Sequence, residues 1–176
     1  MKIKVKLYNN QTLPIINEKG DWFDIPLNFD LALEGPNADI LKRKQIKGEE
    51  IKTRNVNFYP TYFDLDFAMQ LPKGFEAIVL PRSSTFKKYG IVLSNSQGVI
   101  DNSYCGNNDT WKAVVIPYKT ITIPEGTRLF QIRIQLSQRA NIWQKLRWLF
   151  WNGKITFVAV NNLENTDRGG FGSTGN

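Results

Sequence analysis

The stretch GVIDNSYCGN, residues 98–107, carries residue types that could do chemistry. A short apolar run ends at Asp101, and Tyr104 follows three positions later. Aspartate is common where strands break into turns, so Asp101 could be a turn former. A carboxylate there could also take a proton from water, and a tyrosine could offer its ring face to a sugar. This stretch alone leaves both interpretations open.

A second polar stretch, LPRSSTFKKYG at 80–90, places Arg82, Ser83 and Ser84 at the end of a predicted strand. The arginine side chain is a fork-shaped donor that suits phosphate oxygens. Serine hydroxyls and nearby backbone amides can complete an anion cradle. The alternative is an ordinary polar loop.

The C-terminal stretch NTDRGGFGSTGN, residues 165–176, has four glycines among its last eight residues. Such a segment cannot join a core and is expected to be mobile when free. Arg168, the hydroxyls of Ser173 and Thr174, and the flexible backbone amides are what a phosphate-wrapping arm needs. A frayed tail is the equal alternative.

Histidine is absent from the chain, which excludes Ser-His-Asp hydrolysis, Cys-His proteolysis and His-ligated zinc. Proton transfer near neutral pH must then involve a carboxylate, a lysine, a tyrosine or water. The formal net charge of +7 points to an anionic partner, such as a nucleic acid, a polyphosphate or an acidic protein. Charge alone does not choose among them.

The single cysteine, Cys105, cannot form an internal disulfide and fits a reducing compartment. No apolar run reaches the length of about 18 residues typical of a membrane span, and MKIKVKLYNN lacks a signal-peptide core. We therefore expect a soluble cytoplasmic protein.

Short β-rich segments separated by turn formers make up most of the chain. Their close spacing leaves little room for crossover helices. It predicts an all-β, jelly-roll-like β-barrel with short inserted helical segments. The predicted strands are KIKVKLY (2–8), FDLDFAMQL (63–71), FEAIVLP (75–81), GIVLSN (90–95), GVID (98–101), WKAVVIPY (111–118), TITIPEG (120–126), RLFQIRIQL (128–136) and KITFVAV (154–160).

Two stretches interrupt this pattern. Residues 34–50 are highly charged and indicate an exposed loop, with or without a short helix. Residues 138–153 have apolar side chains at helical spacing, with Asn152-Gly153 as a stop signal. They predict an amphipathic helix packed on the barrel or on a neighbouring subunit, with a protein partner or a membrane surface as alternatives.

Taken together, five ordered segments resemble the motifs of the trimeric dUTPase family, nucleotidohydrolases that convert dUTP to dUMP and pyrophosphate. The segments are GDWFDI (20–25), PRSST (81–85), GVIDNSY (98–104), RLFQI (128–132) and RGGFGSTG (168–175). This variant is similar to members from bacteriophages and prophages. The first motif departs from the family pattern, because Trp22 and Phe23 replace the usual small residues.

The resemblance implies one domain over residues 1–164, with insertions at about 34–56 and 138–153, and a mobile lid arm over 165–176. It implies that Asp101 activates the water that attacks the α-phosphorus, with Asp24 and Gln131 as further catalytic residues. Tyr104 would stack under the deoxyribose and exclude a 2′-hydroxyl. The remaining substrate-binding residues it implies are Arg82, Ser83, Ser84, Asn95, Gly98, Val99, Ile100, Gln131, Arg168, Gly170, Phe171, Gly172, Ser173 and Thr174.

Within that set, the hairpin at about 93–100 would recognise uracil mainly through main-chain groups, and Phe171 would stack on the base. The implied cofactor is Mg²⁺, held through the substrate phosphates and water rather than by direct protein ligands, with Asp24 as a water-mediated contact. The implied assembly is a homotrimer whose three active sites each combine motifs of all three subunits. Cys105 replaces a frequent arginine, which bears on trimer packing more than on chemistry. The dUMP formed would supply dTMP synthesis.

Three other functions compete with this one. A dCTP deaminase shares the fold but needs a glutamate on the strand after the Asp101 turn, and TWKAVVIPY (110–118) contains none. A regulatory protein of the same fold could bind a repressor through residues 34–56 or 138–153, as an added or a sole role. A nucleic-acid-binding module would explain the charge but not the five motifs. We therefore expect neither direct nucleic-acid binding nor membrane binding.

Overall fold

A computed structural model describes residues 1–46, 49–150 and 154–170, with the backbone alone described for 38–46 and 49–55. The strands are β1 Lys2–Leu7, β2 Ile15–Ile16, β3 Phe23–Pro26, β4 Leu31–Leu33, β5 Asn37–Ile46, β6 Glu49–Asn57, β7 Thr61–Asp64, β8 Phe67–Gln70, β9 Phe75–Pro81, β10 Ile91–Leu93, β11 Gly98–Asp101, β12 Lys112–Pro117, β13 Ile121–Ile123, β14 Arg128–Leu136 and β15 Thr156–Ala159. The helices are α1 Thr85–Tyr89 and α2 Ile142–Leu149.

The strands form small sheets around one core, which confirms the all-β prediction. The largest sheet has the order β11-β9-β14-β3-β2, and two others have the orders β15-β1-β8 and β10-β12-β7. Neighbouring strands run antiparallel except β1 and β15, which pair in parallel. This parallel pair seats the last described strand beside the first and so directs the C-terminal segment across the barrel.

The core is built from the inward-facing residues of these strands, as the alternation of apolar and polar positions predicts. Phe67 and Trp111 are each 1% exposed, and their ring centroids lie 4.9 Å apart. In β14, Ile132 and Ile134 are buried while Arg133 between them is exposed. The apolar contacts hold the strands that carry the candidate site residues.

Two of the predictions along the chain are wrong, one about a strand and one about a loop. The segment 63–71 is not one strand, because the extended backbone is interrupted between β7 and β8, where Asp66 has a φ of 57°. Aspartate tolerates this left-handed conformation, and its backbone N–H donates to the carboxylate of Asp64 (2.8 Å). The charged stretch 34–50 is not a loop or a helix, because β5 and β6 pair there as an antiparallel hairpin. Its isoleucines favour extended backbone, and the lysines obscured that signal.

The amphipathic helix predicted within 138–153 is confirmed as α2. Asn141 caps its N-terminus by accepting from the backbone N–H of Gln144 (2.9 Å), and the Gln144 side chain accepts from the Asn141 N–H (2.8 Å). The predicted stop at Asn152-Gly153 lies outside the described residues. Neither described helix is long and apolar enough to cross a membrane.

Only one side of α2 contacts the barrel. Trp148 packs against Phe75 with ring centroids 5.4 Å apart, and the Gln144 amide donates to the Lys73 carbonyl (3.0 Å). The predicted packing on the barrel is therefore present on this side of the helix, while most of its apolar side chains stay exposed within this chain. The exposed apolar side chains of this face are Ile142, Trp143, Leu146, Leu149 and Phe150.

Candidate active site

Asp101 is the last residue of β11 and both forms the following turn and presents a carboxylate. Its Oδ1 accepts from the backbone N–H of Ser103 (2.7 Å) and from the Ser103 hydroxyl. Its backbone carbonyl accepts from the Tyr104 N–H (3.1 Å). Its other carboxylate oxygen, Oδ2, contacts the guanidinium of Arg168. The two interpretations of Asp101 are thus compatible, because the turn is what orients the side chain.

The surroundings of Asp101 keep its carboxylate ionised. Partial burial raises the pKa of this carboxyl, but the hydrogen bonds from Ser103 and the hydrogen bond and charge of Arg168 lower it. The net pKa lies below the ordinary value for aspartate. At neutral pH the group is therefore a proton acceptor and not an acid.

A cavity of about 290 Å³ opens in front of Asp101. This volume is near the lower end of the range of small-molecule sites. Two lining residues, Lys112 and Gly169, were not predicted from the sequence. The predicted residues that the fold does bring together in the lining are Asn95, Gly98, Val99, Ile100, Asp101, Tyr104, Arg168 and Gly170.

Tyr104 forms part of the cavity wall. Its hydroxyl donates to the Thr110 carbonyl (2.9 Å), which holds the ring in place. Burial raises the pKa of the Tyr104 phenol, and the nearby carboxylates of Asp109, Asp64 and Asp167 raise it further. The ring lies against Gly170, where an added Cβ would approach the phenol to 3.2 Å. Tyr104 therefore serves as a neutral flat surface.

Cys105, beside Tyr104, is partly buried and free. Burial raises the pKa of its thiol, with the negative charges of Asp109 and Asp101 adding to the effect. A thiol with a raised pKa is a poor nucleophile near neutral pH. Cys105 is accordingly not a candidate nucleophile in this cavity.

A separate group of side chains, which we call the arginine cluster, consists of Asp24, Arg82, Arg128 and Gln131. The Asp24 carboxylate is almost fully buried, and its Oδ2 lies 3.4 Å from Arg82 Nη1 and 3.3 Å from Arg128 Nη1. Gln131 sits opposite Asp24 in the β14–β3 register and donates to the Pro81 carbonyl (3.3 Å). Two guanidinium groups held on one carboxylate suit the binding of phosphate oxygens.

The two predicted serines flank this cluster differently. Ser83 is exposed next to Arg82, while Ser84 is half-buried and precedes helix α1. Arg128 was not predicted as a site residue, although it begins the RLFQI motif. Its role could not be inferred from spacing, because only the strand register brings it to Asp24.

Asp101 and the arginine cluster lie near opposite ends of β9, while the cavity lining extends from Asp101 along β11 to Gly98, opposite Val79. Asp101 pairs with Glu76 near the start of this strand, whereas Arg82 directly follows its last residue, Pro81. Six residues of extended chain separate these ends, about 20 Å at the usual rise of a strand. One chain therefore does not bring its own arginine cluster to its own cavity.

The C-terminal arm reaches the cavity of its own chain over the described residues 165–170. The buried carboxylate of Asp109 accepts from the backbone N–H groups of Arg168 and Gly169 (both 2.9 Å), and Asp167 accepts from the Asn108 N–H (2.8 Å). Asp109 was not predicted, because NNDT indicated only a turn. The predicted site residues Phe171, Gly172, Ser173 and Thr174 lie outside the described residues.

Within the described part of the chain, no group of three or more Asp, Glu, Cys or His side chains could hold a metal ion. The buried carboxylate of Asp24 is in addition occupied by two arginines. These residues do not fit a metal ion bound directly by the protein.

The chain is similar to known proteins in sequence and in fold. A family model described as dUTPase matches residues 49–175. A prophage-derived deoxyuridine 5′-triphosphate nucleotidohydrolase of Bacillus subtilis, from prophage SPbeta, is 37% identical over 177 residues, covering 99% of each chain.

Two solved phage structures share the fold. One is a mutant dUTPase of Staphylococcus bacteriophage 80alpha with dUpNHpp, at 16% identity and a TM-score of 0.56, covering 80% of this chain and 93% of that one. The other is a mutant dUTPase from phage phi11 of S. aureus, at 18% identity and a TM-score of 0.54, covering 80% and 94%. Because the family model spans most of the chain and the prophage relative matches it from end to end, the chain belongs to the dUTPase family.

Proposed function

We propose that this protein hydrolyses dUTP to dUMP and pyrophosphate, with the cavity at Asp101 holding the deoxyuridine. The observation that carries the proposal is an ionised carboxylate and a fixed tyrosine ring on opposite sides of one turn, both lining the same cavity. The prophage nucleotidohydrolase that matches the whole chain supports the same substrate. Removal of dUTP would supply dUMP for dTMP synthesis.

In the proposed reaction, Asp101 accepts a proton from a water molecule while the water oxygen attacks the α-phosphorus. A bond forms between the water oxygen and this phosphorus, and the bond to the oxygen that bridges to the β-phosphate breaks. Pyrophosphate leaves with that oxygen. Without substrate, Arg168 contacts the Asp101 carboxylate. Substrate phosphates would compete for its guanidinium and free Oδ2 for the water.

Specificity in this proposal rests on shape and on the main chain. The turn between β10 and β11 and strand β11 present their backbone groups to the cavity at Asn95 and at 98–100. Uracil carries donors and acceptors that such groups can match, and the narrow space would exclude a thymine methyl. The Tyr104 ring would lie under the deoxyribose and leave no room for a 2′-hydroxyl.

We propose that the arginine cluster of a neighbouring copy binds the triphosphate, in a homotrimer with shared active sites. Two observations support this: Asp101 lies about 20 Å from Arg82 along β9, and no residue of the arginine cluster lines the cavity of its own chain. Asp24 then orients Arg82 and Arg128, and Gln131 and the two serines border the phosphate path. A cyclic assembly brings different surfaces of neighbouring copies together, as this arrangement needs.

Mg²⁺ remains part of the proposal as an ion held by the substrate phosphates and water. The mutant dUTPase of phage phi11 coordinates a structural Mg(II) ion. Bound to the phosphates, such an ion would offset their negative charge. A water-mediated contact with Asp24 is less well supported, since both arginines already contact Asp24 Oδ2.

Substrate choice and the identity of the base can be tested together. Purified protein with Mg²⁺ should release pyrophosphate from dUTP, with little turnover of dTTP, UTP or dCTP. Asp101→Asn keeps the size of the side chain but removes the proton acceptor, so turnover should fall at least 100-fold. Binding of dUpNHpp should persist. Ammonia released from dCTP, or near-normal turnover by the variant, would refute the proposed reaction.

The pH dependence of the reaction should follow the ionisation of Asp101. Because the carboxylate form is the active one, kcat/KM should fall as pH drops through the pKa of this group. Ser103→Ala removes a hydrogen bond that lowers this pKa. The acid limb of the profile should therefore move to higher pH. Ser137→Ala, outside the site, is the control. An unmoved acid limb in Ser103→Ala would show that another group limits the rate.

Mixed trimers test whether the active sites are shared. Asp101→Asn and Arg82→Ala chains should each be inactive alone, the first for lack of the base and the second for weak phosphate binding. Co-expressed with different tags, they should form mixed trimers. In a mixed cyclic trimer of either composition, an intact cavity meets an intact cluster at about one third of sites. Purified mixed trimers with no activity above the single variants would mean that both groups act within one chain.

A second function is proposed from α2, where a protein partner would cover the exposed apolar face. Trp143, Leu149 and Phe150 are 76%, 72% and 81% exposed, which is unusual for such large side chains. Phage dUTPases, among them that of Staphylococcus bacteriophage 80alpha, control transfer of virulence genes. A regulatory protein of the repressor type is therefore the proposed partner, with the β5–β6 hairpin as the other candidate surface.

A double variant on α2 separates this partner surface from a subunit interface. Trp143→Ser/Leu149→Ser should keep the trimer and dUTP turnover, because neither residue lines the cavity. It should lose binding to a DNA-binding protein that the unaltered chain captures from host cells. Lys145→Ser on the same helix is the control and should retain capture. Dissociation of the trimer in light scattering would contradict the proposal and make this face a subunit contact.

A further inference from the structure

Asp109 is a buried carboxylate that binds backbone amides on two segments distant in the sequence. It lies between β11 and β12 and is 1% exposed. Its Oδ2 accepts from the N–H groups of Gly106 and Arg168 (both 2.9 Å), and its Oδ1 accepts from the Gly169 N–H (2.9 Å). Hydrogen bonds to an ionised acceptor are about twice as strong as neutral ones. Asp109 thus joins the turn after Tyr104 to residues 167–169 of the arm, which we call the arm root.

The packing around Gly106 shows how closely the arm root lies on this turn. An added Cβ at Gly106 would come within 2.5 Å of the Asp167 Cα and 2.7 Å of the Asp167 backbone nitrogen. Backbone atoms cannot yield at such distances as a flexible side chain could. Asp167 also accepts from the Asn108 N–H and side-chain amide (2.8 and 2.6 Å). Gly106, Asn108 and Asp109, all in one turn, therefore hold the arm root in place.

The position of the arm root determines what reaches the cavity. With the amides of Arg168 and Gly169 held by Asp109, the Arg168 guanidinium contacts Asp101, and Gly170 lies against the Tyr104 ring. Asp109 itself is absent from the cavity lining. Its carboxylate is therefore positioned to act through the residues that it holds rather than by contact with a bound substrate.

We propose that Asp109 is a positioning residue for dUTP hydrolysis: by fixing the arm root on the turn after β11, it places Arg168 and Gly170 at the cavity. The inference rests on the proposed function, in which Arg168 binds substrate phosphates. It assigns a role to a residue outside the five motifs. It also explains how the glycine-rich arm can act although its glycines have no side chain to hold them.

Asp109→Asn in the full-length chain tests the positioning role. The amide matches the carboxylate in shape but turns one acceptor into a donor that faces backbone N–H groups. We expect kcat/KM for dUTP to fall about tenfold or more, since hydrogen bonds to a charged group are lost. The loss should appear mainly in KM, because the base Asp101 is retained. Asp30→Asn is the control, an exposed carboxylate that accepts one backbone N–H at the Glu125 loop.

A double-mutant cycle with Arg168→Ala distinguishes positioning from general destabilisation. If Asp109 acts by placing Arg168, Asp109→Asn/Arg168→Ala should be within about threefold of Arg168→Ala alone. Full multiplication of the two single effects would overturn the proposal. Gly106→Ala displaces the arm root from the other side and leaves the carboxylate intact. It should show the same loss and the same non-additivity, and it provides a second route if Asp109→Asn folds poorly.

Hydrogen–deuterium exchange tests the same inference without any substrate. In Asp109→Asn, the amides of Arg168 and Gly169 should exchange at least tenfold faster, while those of β9 and β14 keep their protection. Unchanged exchange at 168–169 would overturn the positioning role even if activity fell. If the protein instead proved inactive on dUTP but showed the faster exchange, the proposed function would fail while the arm anchor stood.

Discussion

The pairing register of β9 is the constraint on which the site depends. This strand binds β11 on one side and β14 on the other, so it fixes both the cavity at Asp101 and the arginine cluster. Because a strand is nearly rigid along its length, Asp101 and Arg82 stay about 20 Å apart along β9 within one chain. The burial of Ala77 and Val79 holds this register, since a slip by one residue would turn these side chains out of the core.

The two ends of β9 carry side chains of different charge. At one end, Ser103 and Arg168 lower the pKa of Asp101 and keep its carboxylate ionised beside a cavity of about 290 Å³. At the other, two arginines gather on the buried Asp24, which leaves a positive surface suited to phosphates. The contact between Arg168 and Asp101 links these functions. In the proposed reaction, the guanidinium that contacts Asp101 would also bind an incoming phosphate.

Strand positions were largely predictable, because turn formers delimit short apolar alternations; β9, β11 and β14 match their predicted segments. The hairpin at 37–57 was missed because dense charge masked its strand-forming residues. Most residues of the cavity were found through the resemblance, since the motif order survives in the chain. Asp109 and Arg128 were missed for a different reason. Their roles depend on hydrogen bonds and ion pairs with residues far away in the sequence.

The sequence by itself determined the family and predicted the chemistry of the site. Five ordered motifs identified the family, and the lack of histidine together with the third motif predicted Asp101 as the base. Only the tertiary structure decided which motifs meet. It brings the third and fifth motifs together at one cavity, through the hydrogen bonds that backbone amides donate to Asp109. It leaves the second and fourth motifs at the far end of β9. The physical reason is that motif order is a property of the chain, whereas proximity is set by strand register and buried hydrogen bonds.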